Sequence, residues 1–476
     1  MMSPEPSWPA IVVGAGPAGL AAAATLARAG VQVLVINRRT AVSRAPRATA
    51  LSLRTMELLR SWNLEQRLRH GASEVEWQML TAPTLREAAS GTTVDVGFPT
   101  NAASALISPT RPAAAPQHHL ESVLLSELDH LPLATVQTGV ALEDLAQLER
   151  GVEVQLRDLA GGGLRRVTAR YLVAADGVDS LTRRLLGIES VETGDSAGDQ
   201  AVSIVFRAPL WSRLDHHRYG IYSVGPSNAA SFIPAGAGHL WTYALFDNHA
   251  VAKEPPAQLI QRIRASSGFP DLPVAIESVH KFSFGTAIAE RFRQGRIFLA
   301  GDAAHRVTPR GGTGLNAAIA DGFDLGWKLS WVLRGWSPET LLDTFEQERR
   351  PVVEHNLARS QDPQGSRRSA DDEATRDLGG RVAHHWLDQR RRLSTVDLVG
   401  DGLTHLVDQR RRSITPRPDW YTGPIVVRQL SAGVCDLLGI DRARGLLLRP
   451  DARPLDLSLS WPAAAETSTP ALTLTH

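Results

Sequence analysis

The sequence predicts an α/β protein that combines a mostly parallel sheet with a second, antiparallel sheet. A strand–turn–helix–strand unit occupies residues 10–36. Two later strand-like runs end on Asp-Gly at 176–177 and on Gly-Asp at 301–302. Between those two motifs, over residues 200–290, short β-like runs are separated by Gly, Pro and Asn, which is typical of an antiparallel sheet.

The composition is that of an ordinary globular protein. Of 476 residues, 43% are hydrophobic and 21% are charged, with a formal net charge of +1. The even charge balance argues against nucleic-acid binding. The one cysteine, Cys435, excludes an intrachain disulfide, a CxxC pair and a multi-cysteine zinc site. The early apolar stretch 11–27 is interrupted by glycines and no basic secretory region precedes it, so we expect a cytoplasmic protein without membrane contact.

The first unit reads as a buried strand at 10–13, a glycine-rich turn at 14–19, an Ala/Leu-rich helix to 29 and a second strand at 31–36. Gly30 stands where a C-cap glycine ends a helix. The turn has the form G-x-G-x-x-G in the context that a dinucleotide-binding unit requires. The sequence therefore predicts a Rossmann-like nucleotide site at this turn.

Each glycine of the turn has its own task. Gly14 permits the tight turn, Gly16 lets a pyrophosphate approach the backbone, and Gly19 lets the helix pack closely on the strand. Pro17 and Ala18 open the helix, whose free N–H groups bind phosphate.

The second strand departs from the usual pattern at its end. Dinucleotide-binding units carry Asp or Glu there, to accept hydrogen bonds from the adenosine ribose. This chain has Asn37, which accepts without charge assistance and therefore more weakly. Arg38 and Arg39 follow and could meet a 2′-phosphate, so the residues alone leave NADP open as the ligand of this turn.

Two further motifs narrow the choice of cofactor. A strand-like run at 171–175 enters Asp176-Gly177 and then a helical segment. Another strand-like run enters Gly301-Asp302, and the loop 309–316 then leads into a long apolar helix at 317–333.

With these three motifs in this order, the chain resembles the single-component FAD-dependent aromatic hydroxylases. These are the group A flavoprotein monooxygenases, which include the aromatic polyketide hydroxylases and share the para-hydroxybenzoate-hydroxylase-like fold. The resemblance covers most of residues 8–360. It implies a Rossmann-like FAD-binding domain interleaved with an antiparallel-sheet substrate domain.

The resemblance also implies domain limits. We expect the FAD-binding domain at 1–180 and 285–370 and the substrate-binding sheet at 181–284. Residues 377–476 resemble the small thioredoxin-like C-terminal domain of the polyketide hydroxylases. With Cys435 alone it cannot exchange disulfides, so its role would be structural or in association.

The site residues follow from the same resemblance. It implies that the cofactor-binding residues are Gly14, Gly16, Pro17, Ala18, Gly19, Asn37, Arg38, Arg47, Gln117, Asp176, Asp302, Pro309, Gly312, Gly314, Leu315 and Asn316. Asp302 would bond the ribityl chain or a hydroxyl near the diphosphate. The backbone N–H groups of Leu315 and Asn316 would stabilise negative charge on the reduced ring.

Two residues of the loop 309–316 are the catalytic candidates. Pro309 would shape the space over the flavin ring, and Arg310 would place a guanidinium near it, where relatives carry an aromatic or small residue. Thr313 stands where Gln is common. Arg183 looks like the Arg that follows the Asp-Gly motif, in the region that the family uses for FAD and NADPH.

The resemblance implies a monooxygenase that uses FAD, with NADPH as reductant, on a bulky, apolar, polyketide-like metabolite. The alternative is an FAD-bound cyclase of the [4+2] type without net redox change, and a third option is a flavin dehydrogenase or oxidase. A homodimer stays open. The polar and aromatic candidates for lining the substrate pocket are His216, Tyr222, His239, Trp241 and Tyr243, although core packing or surface exposure is the commoner role for each. Alternation predicts Trp241 and Tyr243 on one face of their strand.

Overall fold

The structure, a computed structural model, describes a chain built on one large mixed sheet, one seven-stranded sheet and a small C-terminal unit. The described residues are 7–43, 47–193, 199–225, 230–246, 249–410, 415–441 and 444–455. Residues 456–476 of the predicted C-terminal domain lie outside them.

Strands account for much of this fold. They are β1 (Ser7–Val13), β2 (Val33–Asn37), β3 (Ala50–Leu51), β4 (Glu76–Ala82), β5 (Thr92–Asp95), β6 (Ala113–Ala114), β7 (Ala134–Thr138), β8 (Val140–Leu148), β9 (Gly151–Asp158), β10 (Leu164–Ala174), β11 (Ser190–Thr193), β12 (Asp199–Arg207), β13 (Tyr219–Val224), β14 (Ala230–Pro234), β15 (Leu240–Phe246), β16 (Ala275–Phe284), β17 (Thr286–Ala289), β18 (Arg293–Gln294), β19 (Ile297–Leu299), β20 (His305–Arg306), β21 (Leu403–Asp408), β22 (Ile425–Leu430) and β23 (Leu446–Leu448).

Most of the helices are short. Four have between twelve and eighteen residues, and one has twenty. The helices are α1 (Pro17–Arg28), α2 (Leu53–Ser61), α3 (Glu65–Arg69), α4 (Asn101–Ile107), α5 (Gln117–Leu128), α6 (Leu181–Leu185), α7 (Trp211–Leu214), α8 (Pro256–Ser267), α9 (Gly314–Leu333), α10 (Thr344–Gln361), α11 (Ala370–Leu378) and α12 (Ala432–Leu437). Within the described ranges, no helix is long and apolar enough to cross a membrane.

The large sheet has the order β18-β19-β10-β1-β2-β7, and β8 and β9 extend it from β10. Its central pairs are parallel, with Val12 of β1 opposite Val35 on one side and Val173 on the other. All three side chains are fully buried, because helices cover both faces of a parallel sheet. The strand order confirms a Rossmann-like arrangement.

Small residues let α1 and α9 pack closely against each other. A Cβ on Gly322 would lie 2.1 Å from the carbonyl oxygen of Ala18, and one on Gly326 would lie 2.6 Å from Cβ of Thr25. Glycine at both positions therefore permits a backbone approach that any side chain would prevent.

The first unit differs from its prediction at the element ends: β1 begins three residues earlier, at Ser7, and α1 ends one residue earlier, at Arg28. The second strand begins at Val33, not at Val31. Gly30, at φ +80°, turns the chain so that its N–H and that of Val31 bond the carbonyls of Ala27 and Leu26. Because Gly30 and Val31 cap the C-terminus of the helix, the strand starts two residues later.

The second sheet has the order β16-β12-β15-β14-β13-β4-β5. Its pairs are antiparallel except β4 with β13, which is parallel. β4 and β5 come from residues 76–95 and precede β7 to β10 of the large sheet in sequence. The other strands of this sheet, β12 to β16, follow β10. The domain limits expected from the sequence stay a prediction.

The C-terminal unit is a three-stranded sheet in which β22 runs parallel and β23 antiparallel to the central β21. Leu406, Leu448 and Cys435 are fully buried in its core. Two ion pairs join it and the preceding segment to the body, Arg381 with Glu57 and Arg449 with Glu348. Its thioredoxin-like character stays a prediction.

Candidate FAD site

The three sequence motifs meet at one edge of the large sheet. β1, β2, β10 and β19 are adjacent parallel strands, so their carboxyl ends lie side by side. Hydrogen bonds continue the ladder into the motifs. The N–H of Gly14 bonds Ile36 at 2.8 Å, that of Ala175 bonds Val13 at 2.8 Å, and that of Ala300 bonds Ala174 at 2.9 Å. Ligands of open α/β sheets bind at this edge.

The first turn requires glycine for steric reasons. Gly14 has φ +105°, and a Cβ there would lie 2.2 Å from the carbonyl oxygen of Ala175. A Cβ on Gly19 would lie 2.0 Å from the carbonyl oxygen of Gly14. Helix α1 thus sits against its own turn at a distance that only glycine allows.

Gly16 is different, because a Cβ there would meet no protein atom within 4 Å. It is the N-cap of α1, which starts with Pro17 and then the buried Ala18. No side chain caps this N-terminus, and its first turn has no acidic residue. The open space and the positive end of the helix fit a diphosphate.

Two of the predicted cofactor-binding residues lie at the end of β2. Asn37 is half-buried there, opposite Thr138 on β7, and Arg38 is exposed. Arg47, expected at the cofactor phosphate and the ring or ribityl groups, is exposed as well. Contact of these side chains with the cofactor stays a prediction.

Gln117 begins α5 and is buried. Its backbone N–H bonds Ala48, and its side-chain Nε2 donates to Oε1 of Glu121 at 2.7 Å. Burial raises the pKa of Glu121, against the opposing effects of the Gln117 hydrogen bond and the nearby Arg47. The carboxamide nitrogen of Gln117 is therefore already engaged in a hydrogen bond inside the protein.

Asp176 serves the helix that follows it. One carboxylate oxygen accepts from the hydroxyl of Ser180, and the other accepts from both the N–H and the hydroxyl of Thr182, at 2.6–3.0 Å. The carboxylate thereby fixes the start of α6 and so the position of the Asp-Gly turn. Its contact with the cofactor stays a prediction.

Asp302 lies on a cleft between the second and third motifs. The cleft has a volume of about 200 Å³ and is lined by Val178, Asp179, Arg183, Ser190, Glu192, Ala287, Asp302, His305 and Arg306. The side chain of Asp302 is exposed in the cleft, and desolvation by the surrounding protein atoms raises its pKa, against the opposing charges of His305 and Arg47. Arg183 holds the cleft wall by donating to the carbonyl of Ala303 at 2.9 Å.

A buried ionic cluster that sequence reasoning missed fixes the Gly-Asp turn. Oδ2 of Asp321, on α9, accepts from the N–H of Gly301 at 3.0 Å and lies 2.6 Å from Nε2 of His305. Its other oxygen accepts from Nε of Arg349 at 2.7 Å. Burial disfavours the carboxylate, but His305 and Arg349 outweigh it and lower the pKa of Asp321 to about 2.

His305 is thus buried behind the turn and held by Asp321. The signal that could have found Asp321 is its helical position: an acidic residue buried in an apolar helix must have a partner.

The loop 309–316 brings several predicted residues together. Pro309 is exposed, and half-buried Arg310 donates its N–H to Oγ1 of Thr308. Gly311 and Gly312 have φ +81° and +63°. Gly314 begins α9, and a Cβ there would lie 3.0 Å from Val307.

Asn316 is the hub of this loop. Its Oδ1 accepts from the N–H of Ser52 at 2.9 Å and from the hydroxyl of Thr55 at 2.8 Å. Its Nδ2 donates to the carbonyls of Ala50 and Gly312 at 3.0 and 2.9 Å. Both polar atoms of the Asn316 side chain therefore bond the protein and shape the loop. Its backbone N–H, in the first turn of α9, can face a ligand.

The start of α9 fits the electron-rich edge of a flavin ring. No side chain caps this helix. Oγ1 of Thr313 is buried and has no hydrogen-bond partner among the described residues. With the backbone N–H groups of Leu315 and Asn316 in the first turn, the helix offers positive charge and unpaired polar groups.

Comparison with known proteins identifies the class. The model of the family "FAD binding domain" matches residues 7–360, and the chain belongs to this family. It is 31% identical to the tetracenomycin B2 monooxygenase-dioxygenase of Streptomyces olivaceus, over 93% of this chain and 94% of the relative. It is 30% identical to an aklavinone 12-hydroxylase of Streptomyces purpurascens, over 93% of each.

A solved structure agrees with the fold. Aklavinone-11 hydroxylase, in a ternary complex with FAD and aklavinone, superposes with a TM-score of 0.76 at 28% identity, over 94% of both chains. The chain is thus an FAD-dependent enzyme of the monooxygenase class, and its relatives favour this function over the cyclase.

Proposed function

We propose that the enzyme hydroxylates a planar, polycyclic aromatic metabolite of the polyketide kind, with NADPH as the reductant. The observation that carries this proposal is an asymmetry between the two faces of the seven-stranded sheet. The relatives named for tetracenomycin and aklavinone support the substrate class.

One row of paired residues crosses the sheet with large side chains. The row consists of Leu80, Tyr222, Phe232, Tyr243 and Ile204, each opposite the next on neighbouring strands. All five are buried in one apolar cluster with Trp241, under α7 and α8. The alternation expected for Trp241 and Tyr243 is confirmed, and these aromatic candidates for the pocket are core residues. His216 and His239 are exposed.

The adjacent row, offset by one residue on each strand, carries small side chains. It consists of Thr81, Ser223, Ser231, Ala244 and Ser203. Successive residues of a strand point to opposite faces, so this row lies on the side away from α7 and α8. Because small side chains cross five strands here, we propose that this row is the floor on which a planar ligand lies.

The small-residue face adjoins the loop 309–316. Met79 and Ile221, on that face, pack with Phe98 and Ala50. A Cβ on Gly312 would lie 3.3 Å from Ala50 and 3.5 Å from Phe98. Apolar contacts therefore join the floor to the loop, and a ligand on the floor lies beside the candidate flavin position.

The protein's own part in the reaction is to bind, orient and exclude water. Bound FAD supplies hydride acceptance and oxygen activation. The glycine turn and the N-terminus of α1 hold its diphosphate, and the start of α9 stabilises negative charge on its ring. The apolar contacts of Phe98 and Met79 keep water from the space above the loop. Pro309 and Arg310 remain the residues proposed to border that space.

The test uses the FAD-loaded enzyme with NADPH, isotopically labelled O₂ and aklavinone as the probe. We expect a product that is heavier by one labelled oxygen, and no such product from catechol, a single-ring phenol. An isomer of unchanged mass, formed without NADPH, would favour the cyclase, and loss of two hydrogens would favour a dehydrogenase.

The floor itself is tested by Ser231→Trp, which fills the small-residue row. Affinity for aklavinone should fall at least about tenfold, because the added ring occupies ligand space. Ser212→Trp, at an exposed position of α7 on the other side of the sheet, is the control and should bind as the parent does. Equal affinity of Ser231→Trp and the parent would refute this placement.

A cytoplasmic location, a homodimer and the lack of nucleic-acid binding stay predictions from the sequence.

A further inference from the structure

The loop 309–316 is held by a segment that lies beyond the part of the chain matched by the family model. The N–H of Gly311 donates to Oγ of Ser366 at 3.2 Å. The match to the FAD binding domain ends at residue 360. A direct bond to the loop thus comes from outside the matched region.

A second connection passes through a buried guanidinium. Oε2 of Glu373, on α11, accepts from Nη1 of Arg359 at 2.9 Å, and Arg359 also donates to the carbonyls of Gly365 and Val96. A Cβ on Gly311 would lie 2.7 Å from Nε of Arg359. The guanidinium therefore supports the loop from behind, and Glu373 supplies its counter-charge.

A third connection passes through the N-terminus of α2. Asp377, also on α11, accepts from the hydroxyl of Ser52 at 2.8 Å and from the N–H of Arg54 at 2.9 Å. The backbone N–H of Ser52 in turn bonds Asn316, which holds the carbonyl of Gly312. Asp377 thus fixes the helix end that fixes Asn316.

We propose that Ser366, Glu373 and Asp377 form a clamp that positions the loop 309–316 for the flavin ring. These are positioning residues, since they act on the loop and not on the cofactor. All three connections start in one short segment, 366–377; two reach Gly311 and the third reaches Gly312 through Asn316.

The clamp has an energetic consequence for FAD. A loop that is ordered before binding loses no conformational freedom when the cofactor arrives. Without the clamp, part of the binding energy goes into ordering the loop, and the N–H groups at the start of α9 are less well aligned with the ring. The clamp therefore raises FAD affinity and makes the bound flavin easier to reduce.

The main test is Asp377→Ala in the full chain, measured as the dissociation constant for FAD and the midpoint potential of the bound flavin. We expect the dissociation constant to rise about tenfold, as for loss of a charge-assisted contact. The potential should become more negative. Asp377→Asn keeps one acceptor oxygen and should stay within about threefold of the parent.

Two controls separate positioning from general stability. Asp372→Ala removes an exposed carboxylate from the same helix and should leave both quantities unchanged. Leu406→Ala opens the C-terminal core and lowers the melting temperature without touching the loop. Below its melting temperature, it should bind FAD as the parent does.

The proposal fails if Asp377→Ala keeps the parent's affinity and potential. It also fails if Leu406→Ala weakens FAD binding as much as Asp377→Ala does, since the effect would then follow stability alone. Either result leaves the proposed hydroxylation untouched, because that reaction is measured by oxygen incorporation and not by FAD affinity.

Discussion

Two regions of the candidate FAD site are built in opposite ways. The turn Gly14–Gly19 takes its shape from its own glycines and the strands beside it. The segment 301–316, which includes the Gly-Asp turn and the loop, takes its shape from side chains outside it, such as Asp321 and Ser366. The conformation of the first region is set by residues close in sequence, and that of the second depends on contacts made only in the folded protein.

The difference lies in what limits each backbone. At Gly14 and Gly19 the limit is steric, because an added Cβ would overlap a carbonyl oxygen. In the segment 301–316, polar backbone groups are satisfied by the side chains of Asp321 on α9, of Arg183 on α6 and of Ser366, which precedes α11. A steric limit can be read from a motif, whereas a hydrogen-bond partner far along the chain cannot.

The largest expected effect is that of Asp321→Ala. It would leave Arg349 buried without its counter-ion and the N–H of Gly301 without its acceptor. We expect a loss of about 3–5 kcal/mol in the free energy of unfolding, measured by denaturant titration. A loss below about 1 kcal/mol would mean that the Gly-Asp turn does not need the contacts of Asp321, and the two regions would then differ less than we infer.

Gly19→Ala tests the local region. Its Cβ would overlap the carbonyl oxygen of Gly14, and Gly14 cannot shift without giving up its bond to Ile36. We expect a loss of about 3 kcal/mol and protein that purifies without FAD. Gly161→Ala, where no atom lies within 4 Å and φ is ordinary, is the control. A yellow Gly19→Ala protein of normal stability would contradict the steric account.

Asn316→Ala removes the hub of the loop. Two donors and two acceptors would lose their partner inside the protein, which should cost about 2–3 kcal/mol and lower the affinity for FAD. Asn316→Asp keeps an acceptor for Ser52 and Thr55 but turns a carboxylate oxygen toward the carbonyls of Ala50 and Gly312, so its loss should be at least as large. A clearly smaller loss for Asn316→Asp would mean that the bonds to Gly312 and Ala50 do not matter for the loop.

Acid unfolding offers a further check on Asp321. Its pKa in the folded protein is about 2, against an ordinary value of 3.8. The stability that this difference provides is complete above pH 3.8 and is lost as the pH falls through about 2. It amounts to about 2 kcal/mol. Asp321→Asn should therefore show a flatter dependence of unfolding free energy on pH in this acid range than the parent does.

The smallest effect on stability is expected from Gly16→Ala. This variant separates the steric role of Gly14 and Gly19 from the ligand-binding role of Gly16 within the same turn. A Cβ there meets no protein atom, so the free energy of unfolding without FAD should change by less than about 0.5 kcal/mol. The Cβ would stand where the diphosphate approaches, so the dissociation constant for FAD should rise at least about tenfold. Unchanged FAD affinity would place the diphosphate elsewhere.

Much of the fold follows from patterns that are visible in the chain. β13 and β15 lie in the stretch 200–290 whose short β-like runs predict an antiparallel sheet, and the glycine turn lies between β1 and α1 as its motif requires. Other features needed the structure. Neither the place of β4 and β5 in the second sheet nor the capping role of the Asp176 carboxylate could be read from spacing, because both depend on partners brought near by folding.

The sequence by itself determined the glycine-rich turn, because steric and dipole rules act within a few residues, and the order of its three motifs indicated the FAD-binding class by resemblance. Only the tertiary structure decided which side chains hold the loop 309–316 and which residues share each face of the second sheet. Those choices depend on contacts between residues that are far apart in sequence, 55 positions for Gly311 and Ser366 and 264 for Ser52 and Asn316, and only folding brings them together.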